Sequence, residues 1–134
     1  MIVDSSALVA IMYVEDGADV FVQAVREADV CRVSAAAFLE TSIVVESGSG
    51  DTGIVQLDGF VRSAGILIEP FTAEQAFVAR QAYSDYGKGR HPAGLNFGDC
   101  FSYALSKVSG EPLLFKGNDF RKTDVVAAIG EVAG

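Results

Sequence analysis

The chain has one histidine, two cysteines and no apolar stretch approaching a membrane span, and each scarcity removes a class of function. His91 has no Ser or Cys nucleophile motif beside it and stands in a glycine-rich loop, so a solvated side chain is expected there, not a general base. Cys31 and Cys100, in a chain with no visible secretory leader, read as reduced core thiols. The apolar stretch around Ser42 to Val45 falls well short of the roughly 20 residues needed to cross a bilayer. Met1-Ile2-Val3 shows neither a basic n-region nor a cleavable apolar segment, so the expectation is a cytoplasmic protein without membrane contact. No phosphate-binding Gly-x-x-x-x-Gly-Lys-Ser/Thr loop, no Cys-x-x-Cys pair and no Gly-x-Gly-x-x-Gly after the first strand occurs, which leaves NTPase, zinc and dinucleotide functions without support. Basic residues are also few. Ten Lys and Arg against eighteen Asp and Glu give a formal charge of −8, which argues against a simple nucleic-acid binder. That objection weakens if several acids bind metal and if the basic residues gather beside the site. The acidic remainder would suit a basic protein partner.

What the chain does have is enough apolar sequence for one core. It has 134 residues, half of them hydrophobic, and no long Ser, Pro or Gln tract, so one compact domain over 1–134 is expected. Ile2-Val3 ends at Asp4, and Ser5-Ser6 opens the helical run Ala7 to Met12. A second helix carries Val20, Phe21, Ala24, Val25 and Ala28 on one side. Val30–Val33 predicts a second strand. Ser34 caps a helix, Ala35 to Glu46, that is apolar on more than one face and so expected to be buried. Ser47-Gly48-Ser49-Gly50 should end it before another helix, from Asp51 to Gly65. A third strand at Ile66–Ile68 follows, then a helix capped by Thr72 with Gln75. Tyr86–Phe97 reads as a loop because it holds Gly87, Gly89, Pro92 and Gly94. It also carries Lys88 and Arg90. Gly98-Asp99 opens a helix to Gly110, and Pro112–Phe115 predicts a fourth strand. Val125–Ile129 fits an edge strand or a closing helix equally. Strands alternating with helices, without hairpin dipeptides, imply an α/β fold with a parallel sheet of four or five strands and helices on both faces.

Four acids sit at predicted element ends or in apolar surroundings: Asp4, Glu40, Asp99 and Asp119. Each has an ordinary explanation. Asp4 can cap the first helix, Asp99 favours a helix dipole, and Asp119 with Asn118 suits a turn. Glu40 lies among Ala36, Ala37, Phe38, Leu39, Ile43 and Val44, where an unpaired carboxylate needs a cation, and Arg32 or Arg62 would serve as well as a metal. The set is the signal. In an open α/β sheet the ligand lies outside the carboxyl ends of the strands, where Asp4 and the turn with Asp119 are expected. Clustered carboxylates there would call for a hard divalent cation such as Mg2+. The chemistry so implied is metal-assisted phosphodiester hydrolysis.

These residues resemble the PIN-domain ribonucleases, and especially the VapC-type toxins of bacterial toxin–antitoxin pairs, over nearly the whole length. Met1-Ile-Val-Asp4-Ser-Ser6 resembles the family's opening motif, and Ala37-Phe-Leu-Glu40-Thr-Ser its helix-borne acid. Leu95-Asn-Phe-Gly-Asp99-Cys-Phe-Ser-Tyr-Ala resembles its third motif, and Leu113-Leu-Phe-Lys-Gly-Asn-Asp119-Phe its last. The resemblance implies a PIN-like domain and Mg2+- or Mn2+-dependent RNA cleavage. Asp4 and Asp99 are implied as main metal ligands, Glu40 and Asp119 as completing the acidic cluster, and Ser6 and Asn118 as orienting it. Lys88, Arg90 and Lys116 would position the RNA backbone. A cognate VapB-type antitoxin and a homodimer are also implied. Many relatives carry a further acid where this chain has Gly117, which leaves one or two metals open.

Two other classes fit some of the same features. A Mg2+ phosphohydrolase or phosphoacceptor domain of haloacid-dehalogenase or receiver type also places an aspartate after strand one. The former wants a second aspartate where Ser6 stands, and the latter an acidic pair before the first helix. A catalytically silent module binding metal or a basic peptide is the second alternative.

Overall fold

The computed structural model of the chain describes residues 1–131; the last three residues of the expected 1–134 domain lie outside that description. Four short strands, β1 (Ile2–Val3), β2 (Arg32–Ser34), β3 (Leu67–Glu69) and β4 (Leu113–Leu114), form one sheet in the order β3-β2-β1-β4. All three pairings are parallel. The chain builds outward from β1 to β2 and β3, then returns to add β4 on the other side of β1. The reversal opens a crevice at the carboxyl ends of β1 and β4, the place where such sheets bind ligands.

Side chains alternate across the sheet, so adjacent residues of one strand enter different cores. Val3, Val33 and Leu114 pack with α1 (Ser5–Met12), α2 (Ala18–Glu27) and α3 (Ala35–Ala64) around Leu8, Phe21 and Leu57. Ile2, Leu113 and Phe115 face the other way, against Ala82 of α4 (Ala73–Tyr86) and Tyr103 and Leu105 of α5 (Phe97–Ser109). Helices therefore cover both faces, as expected. Cys31 and Cys100 are buried free thiols, and burial pushes the Cys100 thiol up to about 11. No helix among the described residues is long and apolar enough to cross a membrane.

Several boundaries differ from the sequence expectation, each for a local reason. β2 begins at Arg32, not Val30, because β1 sets the register by pairing Ile2 with Arg32. Ile66 is withdrawn from β3 because its N–H closes the helix end on Val61 O at 3.0 Å, beside left-handed Gly65. The two helices expected around Ser47–Gly50 run on as α3, broken only where Gly50 adopts φ 61 and ψ −151. A glycine is tolerated inside a helix when tertiary packing holds both sides, and at φ 61 it gives a kink without strain. α3 is also less buried than its composition suggested, since Leu39, Glu40, Ile43 and Val44 are exposed.

The loop expected over Tyr86–Phe97 is shorter, because Tyr86 ends α4 and Phe97 opens α5. A bridge between Gly87 and Leu95 closes it. His91 is half-buried, not simply solvated: its Nδ1 accepts from Ala93 N–H at 3.0 Å and its ring meets Tyr86 edge-on. Val125–Ile129 is neither helix nor full strand. Leu113 donates to Val126 O and accepts from Ala128 N–H, both at 2.8 Å, so a single parallel bridge to Ala127 borders β4. Tyr103 Oη and Lys107 Nζ hold Asp124 at 2.6 and 2.9 Å and tie this segment to α5. A 3-10 turn at Phe120–Lys122, not anticipated, precedes it.

Candidate active site

Asp4 is the first residue after β1 and caps α1, its Oδ2 accepting from Ser6 N–H at 3.0 Å. The ordinary explanation of Asp4 is therefore true, and insufficient. Asp4 is only 2% exposed, and its other oxygen, Oδ1, is buried with no donor. A buried carboxylate oxygen without a partner costs free energy until a cation or a proton satisfies it.

A cleft of about 350 Å3 opens at this point, lined by Asp4, Glu40 and Asp99 together with Ser5, Asn96 and Lys116. Each inner acid is held by a near neighbour. Asp99 stands in the first turn of α5, where Asn96 Oδ1 accepts from Asp99 N–H at 2.9 Å and Asp99 Oδ2 accepts from Asn96 N–H at 3.0 Å. This reciprocal cap satisfies two helix-end donors and fixes the carboxylate's direction. Glu40 projects from the exposed side of α3 and accepts the Ser5 hydroxyl at 2.6 Å. It enters no ion pair among the described residues. Arg32, one of the cations considered for it, instead bridges Glu69 and Glu111 at 2.8 and 2.9 Å.

The electrostatics register the grouping. Burial pushes the Asp99 carboxyl up to about 6, the Asn96 N–H opposes that rise, and the charges of Asp4, Asp119 and Glu40 add to it. Asp119 thus acts on Asp99 through space, but it is exposed and does not line the cleft. The expected cage is an open cleft lined by three of the four expected acids and by Glu15, with Asp119 outside its walls. Among the described residues no three His, Cys, Asp or Glu side chains are already gathered at metal-ligand spacing. The donor chemistry nevertheless fits a hard divalent ion, since all candidate ligands are carboxylates and Asp4 Oδ1 lacks a partner.

The supporting residues divide similarly. Ser6 links Asp4 to the β4 turn, because its N–H donates to Asp4 Oδ2 and its Oγ accepts from Lys116 N–H at 2.9 Å. Asn118 makes no side-chain hydrogen bond among the described residues; Asn96 performs the orienting role instead. An Asn three residues before an Asp at a helix start is a visible cap pattern, so Asn96 was detectable from the sequence. Ser5, 35 residues from Glu40, gave no such signal. Lys116 lines the cleft, whereas Lys88 and Arg90 do not. Arg90 lies over the Tyr83 ring at 5.8 Å.

Ser5→Ala is expected to lower activity by roughly 3- to 10-fold with little change in melting temperature, because it removes only the roughly 1 kcal/mol hydrogen bond that steers Glu40. Steady-state rates and a thermal melt check this.

Comparison with known proteins identifies the family. The PIN domain model matches residues 1–126. A protein named Ribonuclease VapC from Mycolicibacterium smegmatis is 54% identical over 127 residues, 95% of this chain and 98% of the relative. Ribonuclease VapC30 of Mycobacterium tuberculosis is 49% identical over 125 residues, covering 93% and 95%. The crystal structure of Mycobacterium tuberculosis VapC20, described as a Sarcin-Ricin loop cleaving toxin, shares the fold with a TM-score of 0.76 at 18% identity, covering 93% of this chain and 95% of that one. With half its residues shared across almost the full length of such relatives, the chain belongs to the PIN-domain family and, within it, to the VapC ribonucleases.

Proposed function

We propose that the chain, as one domain over 1–134, is the endoribonuclease toxin of a toxin–antitoxin pair. In this reading Asp4 and Asp99 hold Mg2+ or Mn2+, and Glu40 and Asp119 complete the acidic cluster. The observation that carries it is Asp4 Oδ1, a buried carboxylate oxygen without a donor in a cleft shared with Asp99 and Glu40. When bound, a hard divalent cation makes water a stronger nucleophile and offsets charge on the phosphoryl oxygens. The chain's own residues supply the geometry: Ser6 N–H holds Asp4, Asn96 holds Asp99, and the Ser5 hydroxyl holds Glu40. Lys116 at the cleft, with Lys88 and Arg90 farther out, positions the RNA backbone, and single-stranded segments are the favoured targets because their phosphates are accessible.

The partner is a cognate VapB-type antitoxin. An arginine from a basic segment would satisfy the clustered carboxylates and block substrate, which suits a chain of formal charge −8. A homodimer, with the toxin at work in the cytoplasm, completes the reading. An apolar groove between α4 and α5, lined by Phe71, Tyr83, Phe97 and Phe101, supports self-association. The phosphohydrolase and silent-module alternatives are not favoured: the first lacks its second aspartate at Ser6, and the second leaves the likeness to named ribonucleases unexplained.

Incubation with RNA and with a chromogenic phosphomonoester, each with Mg2+, with Mn2+ and with chelator, tests the assignment. RNA loss only when metal is present is the expected result. Turnover of the monoester alone, or RNA cleavage indifferent to chelator, would overturn it.

A further inference from the structure

Lys116 is the one basic side chain among the residues described as lining the acid cleft, and its ammonium is already engaged. Nζ lies 2.9 Å from Glu15 Oε1, across 101 residues of sequence. Glu15 belongs to the turn between α1 and α2 and lines the same cleft. Both backbone groups of Glu15 are fastened, its N–H donating to Ala10 O at 2.8 Å and its O accepting from Ala18 N–H at 3.0 Å. The preceding residue, Val14, has φ 52 and is 81% exposed. Left-handed backbone at a β-branched residue costs about 1–3 kcal/mol, and an exposed valine recovers little of that by packing.

The pair is not there chiefly for stability. Its side chains are 37% and 38% exposed, and ion pairs of that kind contribute only about 0–1 kcal/mol. Position is the better explanation. Three other carboxylates, Asp4, Glu40 and Asp99, share the cleft with this ammonium, and a lysine free to turn toward them would pair with them. Glu15 keeps the charge at the mouth, while the Lys116 N–H bond to Ser6 Oγ anchors the lysine's backbone.

We propose that Glu15 is a positioning residue that latches Lys116 at the cleft mouth, and that the latch exchanges when an RNA phosphate takes the lysine. The inference rests on the ribonuclease reading. Binding then replaces one carboxylate–ammonium pair by a phosphate–ammonium pair, so Glu15 lowers RNA affinity while holding the lysine ready.

The test measures binding of a labelled single-stranded RNA oligonucleotide in chelator by fluorescence anisotropy across a salt series. It compares the wild type, Glu15→Gln, Lys116→Met and the double variant, each checked for folding by circular dichroism and thermal melt. Glu15→Gln is expected to tighten binding by about 3-fold, and Lys116→Met to weaken it and reduce the log–log salt slope by about 0.7, the value of one single-strand phosphate contact. In the Lys116→Met background, the gain from Glu15→Gln should fall to less than half. An equal gain in both backgrounds means that Glu15 merely repels phosphate, and this or the absence of any gain overturns the latch. If Glu15→Gln fails to fold, Glu15→Ala is measured against the same criteria. Metal-dependent cleavage by the wild type tests the underlying reading separately: a protein that cleaves RNA but shows equal gains loses only the latch, and one that binds no RNA loses both.

Discussion

Asp99→Asn is expected to abolish RNA cleavage, a loss on the order of 1,000-fold or more, because charge stabilisation by a bound cation is worth several kcal/mol and asparagine is a far poorer ligand. The fold should survive. Asparagine keeps an oxygen that can accept the Asn96 N–H bond, so the cap of α5 is preserved, and circular dichroism should be nearly unchanged. Stability is expected to move the other way from activity. Burial and neighbouring acids raise the native Asp99 carboxyl to about 6 from an ordinary value of 3.8, so the folded state holds this proton more firmly than the unfolded chain does. The resulting stabilisation is present below about pH 4 and is lost as pH rises through about 6. At pH 7.5 without metal, the ionised group is a net cost. Two pK units correspond to about 3 kcal/mol, and partial exposure of the carboxyl reduces that to about 1 kcal/mol after allowance for solvent screening.

Thermal melts in chelator should therefore show Asp99→Asn more stable than wild type at pH 7.5, with the difference shrinking at pH 4. Added Mg2+ should raise the wild-type melting temperature at pH 7.5, much less at pH 5, and hardly at all in the variant. Full activity in Asp99→Asn would defeat the metal assignment. A variant less stable at pH 7.5 would defeat the account of its electrostatics.

The second large effect concerns a position with no functional group. Gly98, beside Asp99, lets the Glu40 carboxylate lie directly against the α5 backbone, and a Cβ there would overlap Glu40 Oε2. The obstructed atom is the end of a flexible side chain, so Gly98→Ala should displace the glutamate without disturbing the fold. In a helix interior the same change gains about 0.5–1 kcal/mol, and less in the first turn where Gly98 stands. Cleavage should fall by roughly 10- to 100-fold, since misplacing a positioned group by about 1 Å costs up to that much. The melting temperature should hold or rise. Wild-type rates in Gly98→Ala would show that the place of Glu40 is immaterial to the reaction.

Much of the fold was legible because it is locally encoded. Ile2-Val3 stops at Asp4, and Leu113-Leu114 lies in a short apolar run between Pro112 and Lys116, and both form short buried strands. Thr72 with Gln75 marks a helix start, and the structure has that hydrogen bond at 3.2 Å. The four acids were legible for the same reason, each lying at a strand end, near a helix start or in an apolar context. Burial was harder to read. The run around Glu40 is apolar enough for a core helix, yet Leu39 and Ile43 face outward, because which side of a helix meets the sheet depends on elements distant in sequence. Gly50 could not be assigned as a kink within α3 for a related reason: glycine permits either a stop or a bend, and packing on both sides chooses.

The amino-acid sequence alone determined the alternation of strands and helices, the caps and the positions of the acids, because hydrophobic period and capping chemistry act over a few residues. Only the tertiary structure decided that Asp4 has a buried oxygen without a partner, that Asp119 stands outside the cleft wall, and that Ser5 and Glu15 hold the groups around them. Those outcomes follow from β4 joining the sheet beside β1, which brings residues more than a hundred positions apart to one crevice. No local pattern can specify a meeting that depends on the whole chain closing.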